Sequence, residues 1–152
     1  MPQAKQKLKV LFLCTGNSCR SQMAEAWSHA LKVDELEAHS AGTSPQVLNP
    51  FAVAVMAECG VDISNHNCKG LDEVAGIAFD IVVTVCDSAK AACPNYTEST
   101  RVVHVGFDDP PALALGMADQ KVVYAIYRRV RDEIKQFIEG LPDSINCPNR
   151  SN

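Results

Sequence analysis

The sequence predicts an α/β fold, a three-layer sandwich around a four-stranded parallel sheet. Three observations lead there. Strand-like runs at Lys7–Leu13, Leu36–Ala41, Phe79–Val85 and Arg101–Val105 are separated by stretches of helical periodicity. The first and third runs are almost continuously apolar, as strands covered on both faces must be. Cys14, Cys86 and Asp109 fall just past the first, third and fourth strands, at the carboxyl ends where such sheets bind ligands.

Taken in order, the first strand ends in a loop, and the helix after it carries Met23, Trp27 and Ala30-Leu31 at core spacing. The second strand stops at Gly42-Thr43-Ser44-Pro45. Asn49-Pro50 is a cap followed by a first-turn proline, and Gly60 is a stop; Phe51, Val55 and Met56 form the buried face between them. The polar run Asp62–Gly70 precedes a short helical segment at Leu71–Ala75. The third strand leads into Asp87–Ala92, which favours helix beyond Asp87 and Ser88. The last helix spans Asp119–Glu139, with Val122/Val123, Ile126, Val130, Ile134 and Phe137/Ile138 on one face, and is ended by Gly140 and Pro142.

The 152 residues, with a net charge of −4, predict one domain over 1–142 and a polar, frayed tail over 143–152. No basic stripe suits nucleic acid, and no tract suits a membrane. The start carries charge but no signal-peptide core, so the expected setting is the cytoplasm and the expected state a monomer. Seven cysteines without a secretion signal read as thiols rather than a disulfide framework. No Cys-x2-Cys pair and no histidine spacing suggests a metal, so no metal site is expected.

The most informative stretch is Cys14-Thr15-Gly16-Asn17-Ser18-Cys19-Arg20-Ser21. A strand delivers a cysteine into a small-residue loop, and an arginine then opens a helix. Backbone N–H groups of such a loop and of the helix N-terminus converge on one centre, a cradle for an oxyanion. Arg20 can offer two parallel donors to that anion, and the same field favours the thiolate of Cys14. Asn17 suits a left-handed backbone position, while Ser18 and Ser21 can bond the thiolate or the loop. Asp109, ahead of Pro110, can protonate a leaving oxygen; Asp108 is the adjacent rival. Cys19 is expected to face away from the anion, Cys59, Cys68 and Cys147 to be passive, and His104 is a candidate for support behind the site.

If strands one and three are neighbours, Cys14 and Cys86 lie within disulfide reach after modest loop movement, since adjacent strands are ~4.8 Å apart. Cys93 sits seven residues beyond Cys86, ~10.5 Å along a helix. A Cys86–Cys93 bond therefore requires the intervening helix to unwind, and Pro94 weakens its far end. The pattern suggests a relay from Cys14 to Cys86 to Cys93; three unrelated buried thiols remain the alternative.

With these residues in place, the chain from Lys7 to about Leu141 resembles the thioredoxin-coupled arsenate reductases of the low-molecular-weight tyrosine phosphatase-like family. The resemblance rests on Cys-Thr-Gly-Asn-Ser-Cys-Arg-Ser-Gln-Met-Ala-Glu from Cys14, Ser40-Ala41-Gly42, Asp62-Ile63-Ser64-Asn65-His66, Val83-Thr84-Val85-Cys86, Cys93-Pro94 and Gly106-Phe107-Asp108-Asp109-Pro110. It implies Cys14 as nucleophile, Arg20 as oxyanion clamp, Asp109 as acid, and Cys86 with Cys93 as the relay pair. It also implies arsenate as substrate, phosphate or sulfate as analogues, no bound cofactor, and reducing equivalents from thioredoxin. The alternatives are a phosphomonoesterase using Cys14, Arg20 and Asp109 alone, or a non-catalytic oxyanion or redox sensor. Phosphatases of this fold usually carry proline where Gln22 stands, and aromatic residues where Pro111-Ala112 follow the acid. Some reductases of the family bind potassium through positions matching Asn17, Glu25 and Ser40 and through an aspartate. That last position holds Lys69, so no potassium requirement is expected.

Overall fold

The computed structural model describes residues 7–145; Cys147 and the end of the expected tail lie outside them. Four parallel strands, β1 (Leu8–Cys14), β2 (Leu36–Gly42), β3 (Ile81–Thr84) and β4 (Arg101–His104), form one sheet in the order β2-β1-β3-β4. The helices are α1 (Arg20–Leu31), α2 (Pro50–Glu58), α3 (Asp87–Ala91), α4 (Pro110–Ala114) and α5 (Gln120–Glu139), with a 3-10 turn at Leu71–Val74. The expected fold class is observed.

The strand order places the site. The chain steps from β1 outward to β2, then returns past β1 to β3 and on to β4. Right-handed crossovers therefore carry α1 and α3 to opposite faces of the sheet. The direction reverses between β1 and β3, and the crevice at their carboxyl ends is where a ligand fits such a sheet. β3 is buried along its length and β1 from Val10 onward: Val10, Leu11, Phe12 and Leu13 are fully covered, as are Val82 and Val83.

α1 lies on β1 and β2 and packs against α5, which also gathers α2 and α4. The α5 face differs in part from its periodicity. Tyr127 and Arg131 are buried with Val123, Val130, Ile134 and Ile138, whereas Val122 is exposed. Arg131 is tolerated inside because its guanidinium donates to Val55 O at 2.9 Å and pairs with Glu58 at 3.0 Å and Asp132 at 2.8 Å. Its carbonyl accepts from Trp27 Nε1 at 3.2 Å, so Trp27 is a packing residue as expected. The core also runs past the expected domain boundary at 142, because Ile145 is buried. α4 has no counterpart among the elements expected from the sequence; it opens on Pro110-Pro111, and a proline in the first helical turn needs no N–H partner.

Candidate active site

The loop Cys14–Ser21 leaves the end of β1 and turns into α1, with Asn17 held at φ 50, the left-handed conformation expected of it. Five of the loop's carbonyls are paired outside it. Those of Cys14, Thr15, Gly16 and Ser18 accept from the N–H groups of Thr43, Ser44, Gln46 and Asn49 at 2.8–3.0 Å. The Asn17 carbonyl accepts from Gln22 Nε2 at 3.0 Å. With these five carbonyls held by donors outside the loop, its N–H groups are free to serve an oxyanion, and Asn17 N already points to Cys14 Sγ.

The second support of the loop was not legible in the sequence. Gln22, fully buried, also reaches Asn17 Oδ1 at 3.0 Å and Asn67 O at 2.9 Å, and its Oε1 is bonded to His66 Nδ1 at 2.9 Å. Burial pushes the His66 imidazole below its usual range. Lys69 N donates to Asn17 Oδ1 at 2.7 Å, and Lys69 O accepts from Gly42 N at 2.7 Å. The only sequence signal was the polar run Asp62–Gly70, which shows no alternation and so revealed nothing of the backbone contacts it makes.

Cys14 is buried at the base of the cradle. Its Sγ lies 2.8 Å from Ser21 Oγ and accepts from Asn17 N at 3.2 Å. Asn17 Nδ2 donates to Ser21 Oγ at 2.9 Å, which leaves the Ser21 hydroxyl hydrogen free for the sulfur. A thiolate here would therefore be met by donors already in place.

Arg20 reaches across the mouth and is itself held, donating to Phe107 O at 2.9 Å and Val85 O at 3.4 Å. Its other terminal nitrogen lies 3.5 Å from Asp109 Oδ1. Asp109 is the N-cap position of α4, uses its side chain for no cap bond, and is half exposed. Asp108 instead pairs with Arg129 of α5 at 3.0 Å, a tie that occupies its carboxylate away from Arg20. A cleft of about 400 Å³ is lined by Cys14, Thr15, Arg20, Cys86, Asp109 and Pro111, among others. The three groups placed past three strand ends by the sequence do share one rim.

Cys86 completes the cleft. β1 and β3 pair directly, with Leu13 opposite Thr84, so continuing the register sets Cys86 opposite Thr15 and diagonal to Cys14. That diagonal is roughly 5.8 Å between Cα atoms, from the strand spacing and rise, inside the ~4.4–6.8 Å window of a disulfide. Cys86 Sγ lies 3.4 Å from Thr15 Oγ1 and accepts from Ala89 N at 3.4 Å as the N-cap of α3. α3 is a helix of five residues whose only buried one is Ala89. Cys93 follows its end, half-buried and outside the cleft lining, with its thiol pushed up by burial.

Of the remaining candidates, Cys19 was expected to face away from the anion but lines the cleft; it is the N-cap position of α1, and desolvation pushes its buried thiol far up. Cys59 is exposed, and burial raises the half-buried Cys68 thiol. His104 bonds Thr84 Oγ1 at 2.9 Å and lies 3.3 Å from Asp87 Oδ1, behind α3 rather than at the oxyanion loop.

Among the positions that could hold potassium, Glu25 is buried in α1, but its Oε1 accepts from Ser40 Oγ at 2.6 Å and lies 3.5 Å from Lys69 Nζ. Potassium needs a shell of oxygen acceptors. Here one of the four positions is an ammonium that already meets the carboxylate, so these residues do not fit the ion.

A parallel β2-β1-β3-β4 sheet with a cysteine-to-arginine cradle at its switch point defines a phosphatase-like oxyanion site. The chain belongs to the low molecular weight phosphotyrosine protein phosphatase family, which it matches over residues 9–150. Within that family it is similar to an arsenate reductase from Halalkalibacterium halodurans, 45% identical over 138 residues that cover 91% of this chain and 97% of the relative. A solved arsenate reductase in the phosphate-binding state superposes with a TM-score of 0.70 at 28% identity, covering 88% of this chain and 95% of that one. A thioredoxin-dependent arsenate reductase from Corynebacterium glutamicum superposes with a TM-score of 0.67 at 29% identity, covering 96% of this chain and 65% of that one. Among the described residues, no helix is long and apolar enough to cross a membrane.

Proposed function

We propose that the protein reduces arsenate to arsenite through a Cys14–Cys86–Cys93 relay reset by thioredoxin. The observation that carries this reading is Cys86, diagonal to Cys14 across β1 and β3 with its sulfur in the same cleft. A hydrolase with this cradle has no use for a second thiol there. The similarity to named arsenate reductases over most of the chain supports the same reading.

Arsenate sits on the loop's N–H groups with Arg20 across two of its oxygens. The Cys14 thiolate attacks arsenic, Asp109 supplies the proton to the departing hydroxyl, and water leaves a Cys14 thio-arsenate. The cradle holds the anionic oxygens throughout, which is where its fixed donors act most strongly. Cys86 then attacks Cys14 Sγ; the sulfur–arsenic pair of electrons goes to arsenic, arsenite leaves, and a Cys14–Cys86 disulfide forms. Cys93 attacks Cys86 Sγ as α3 unwinds, and Cys14 departs as thiolate. The disulfide is thereby moved from a buried cleft to a segment a protein reductant can reach. α3 is suited to this step, since only Ala89 must leave the core.

The direct test is arsenate-dependent NADPH oxidation with thioredoxin and thioredoxin reductase. Turnover that requires both Cys86 and Cys93 supports the relay. Turnover undiminished in Cys86→Ser, or hydrolysis of a phosphate ester as the sole activity, overturns it.

A further inference from the structure

We infer that the Lys69 ammonium is the built-in counter-cation of the oxyanion loop, a positioning residue that does the work of a bound alkali-metal ion. Three observations converge on it. Glu25, on α1, is a buried carboxylate whose Oε1 is bonded to Ser40 of β2 and lies 3.5 Å from Lys69 Nζ. A carboxylate at that depth needs a positive partner; His29 Nδ1 lies 3.9 Å from its other oxygen and is a cation only when protonated, whereas the Lys69 ammonium is a standing charge. The ammonium also donates to Asn67 O at 3.2 Å.

The backbone of the same residue holds the loop. Lys69 N donates to Asn17 Oδ1 at 2.7 Å, and the neighbouring Asn67 carbonyl receives Gln22 Nε2 at 2.9 Å. Asn17 in turn presents its N–H to Cys14 Sγ and its side-chain amide to Ser21. The side-chain pair thus clamps the 67–70 segment onto α1, and that segment holds Asn17 in its left-handed conformation. Charge neutralisation and loop geometry are joined in one residue.

With the ammonium removed, Glu25 Oε1 and Asn67 O are left facing the space it filled, both oxygen acceptors. That is chemistry for potassium or sodium. Wild type should be indifferent to the alkali-metal ion, and a variant without the charge should become responsive to it.

This inference rests on the oxyanion reading of the loop but not on arsenate as substrate, so its test uses sulfate. Sulfate affinity by titration calorimetry and melting temperature are measured for wild type, Lys69→Met and Lys69→Arg, in potassium chloride and in choline chloride at equal ionic strength. Wild type and Lys69→Arg should give the same values in both salts. Lys69→Met should bind sulfate ~10-fold or more weakly in choline, the scale of a displaced site residue, and recover affinity and melting temperature in potassium.

A potassium-specific rise in wild-type melting temperature or affinity overturns the inference, even if Lys69→Met fails to fold. So does a Lys69→Met protein that matches wild type in both salts. The melting temperatures are read without any oxyanion, so they judge the cation whatever the loop binds; an absence of sulfate binding by wild type would instead strike the oxyanion reading.

Discussion

Replacing Gly42 by alanine should damage catalysis through backbone geometry alone. A Cβ on Gly42 would lie 2.5 Å from Thr15 O, 2.8 Å from Asn17 N and 3.0 Å from Gly16 C, all main-chain atoms of the oxyanion loop. Ordinary contact begins near 3.4 Å, so the loop must retreat by roughly 0.9 Å. Asn17 N is the group that donates to Cys14 Sγ, so the retreat falls on the nucleophile itself. A misplacement of about 1 Å can cost ~100-fold in rate, and overpacking costs ~1–3 kcal/mol of stability. For a domain of this size that is a fall in Tm of roughly 2–12 °C. The assay is kcat/KM for arsenate beside a thermal melt, with Gly76→Ala as control because nothing lies within 4 Å of a Cβ there. Gly42→Ala within about threefold of wild type would refute the claim that this loop tolerates no displacement.

Ser21→Ala removes the hydroxyl 2.8 Å from Cys14 Sγ and strands Asn17 Nδ2; alkylation of Cys14 by iodoacetamide at neutral pH should slow ~10-fold or more, the worth of a hydrogen bond to a charged group. Asp109→Asn should lower kcat/KM by ~10²–10⁴, whereas Asp108→Asn loses only an exposed pair with Arg129 and should keep turnover; the reverse ranking would reassign the acid. Hydrogen bonds from Arg128, and then from Arg131, hold Glu58 at about 2, below its ordinary 4.5. A depressed carboxylate contributes stability above its unfolded value and loses it as pH falls through the folded one. The lead in melting temperature of wild type over Glu58→Gln should therefore be full at pH 5 and shrink toward pH 2; a lead that does not change with pH contradicts the assignment.

The sheet was legible because its strands advertise themselves. Val10–Cys14 and Ile81–Val83 are apolar without interruption, and short runs of that kind, β-branched in the second case and each followed by a loop, suit strands covered on both faces. The loop was legible because a cysteine, small residues and an arginine in fixed spacing carry their own chemistry. What escaped was mainly backbone bonding between distant segments. Nothing in Thr43-Ser44-Pro45 or in Asn67-Cys68-Lys69 announces that their main chain pins Thr15, Asn17 and Gln22, because an N–H or a carbonyl has no sequence signature. Gln22 stood out only by contrast with proline; the structure shows its amide fixing the Asn17 carbonyl and side chain. α4 escaped for another reason: five residues beginning Pro-Pro have too little periodicity to register. On α5 the apolar pattern favoured Val122 over Arg131, and tertiary partners for the guanidinium reversed the choice.

The register of β1 against β3 makes the thiol relay possible, and a single turnover tests it most directly. Reduced enzyme is mixed with one equivalent of arsenate without thioredoxin, free thiols are trapped, and disulfides are mapped by peptide mass. The account predicts one arsenite per enzyme with a Cys86–Cys93 disulfide in wild type, and with a Cys14–Cys86 disulfide in Cys93→Ser. Arsenite formed with all three thiols intact, or with the oxidation on Cys19, Cys59 or Cys68, would contradict it.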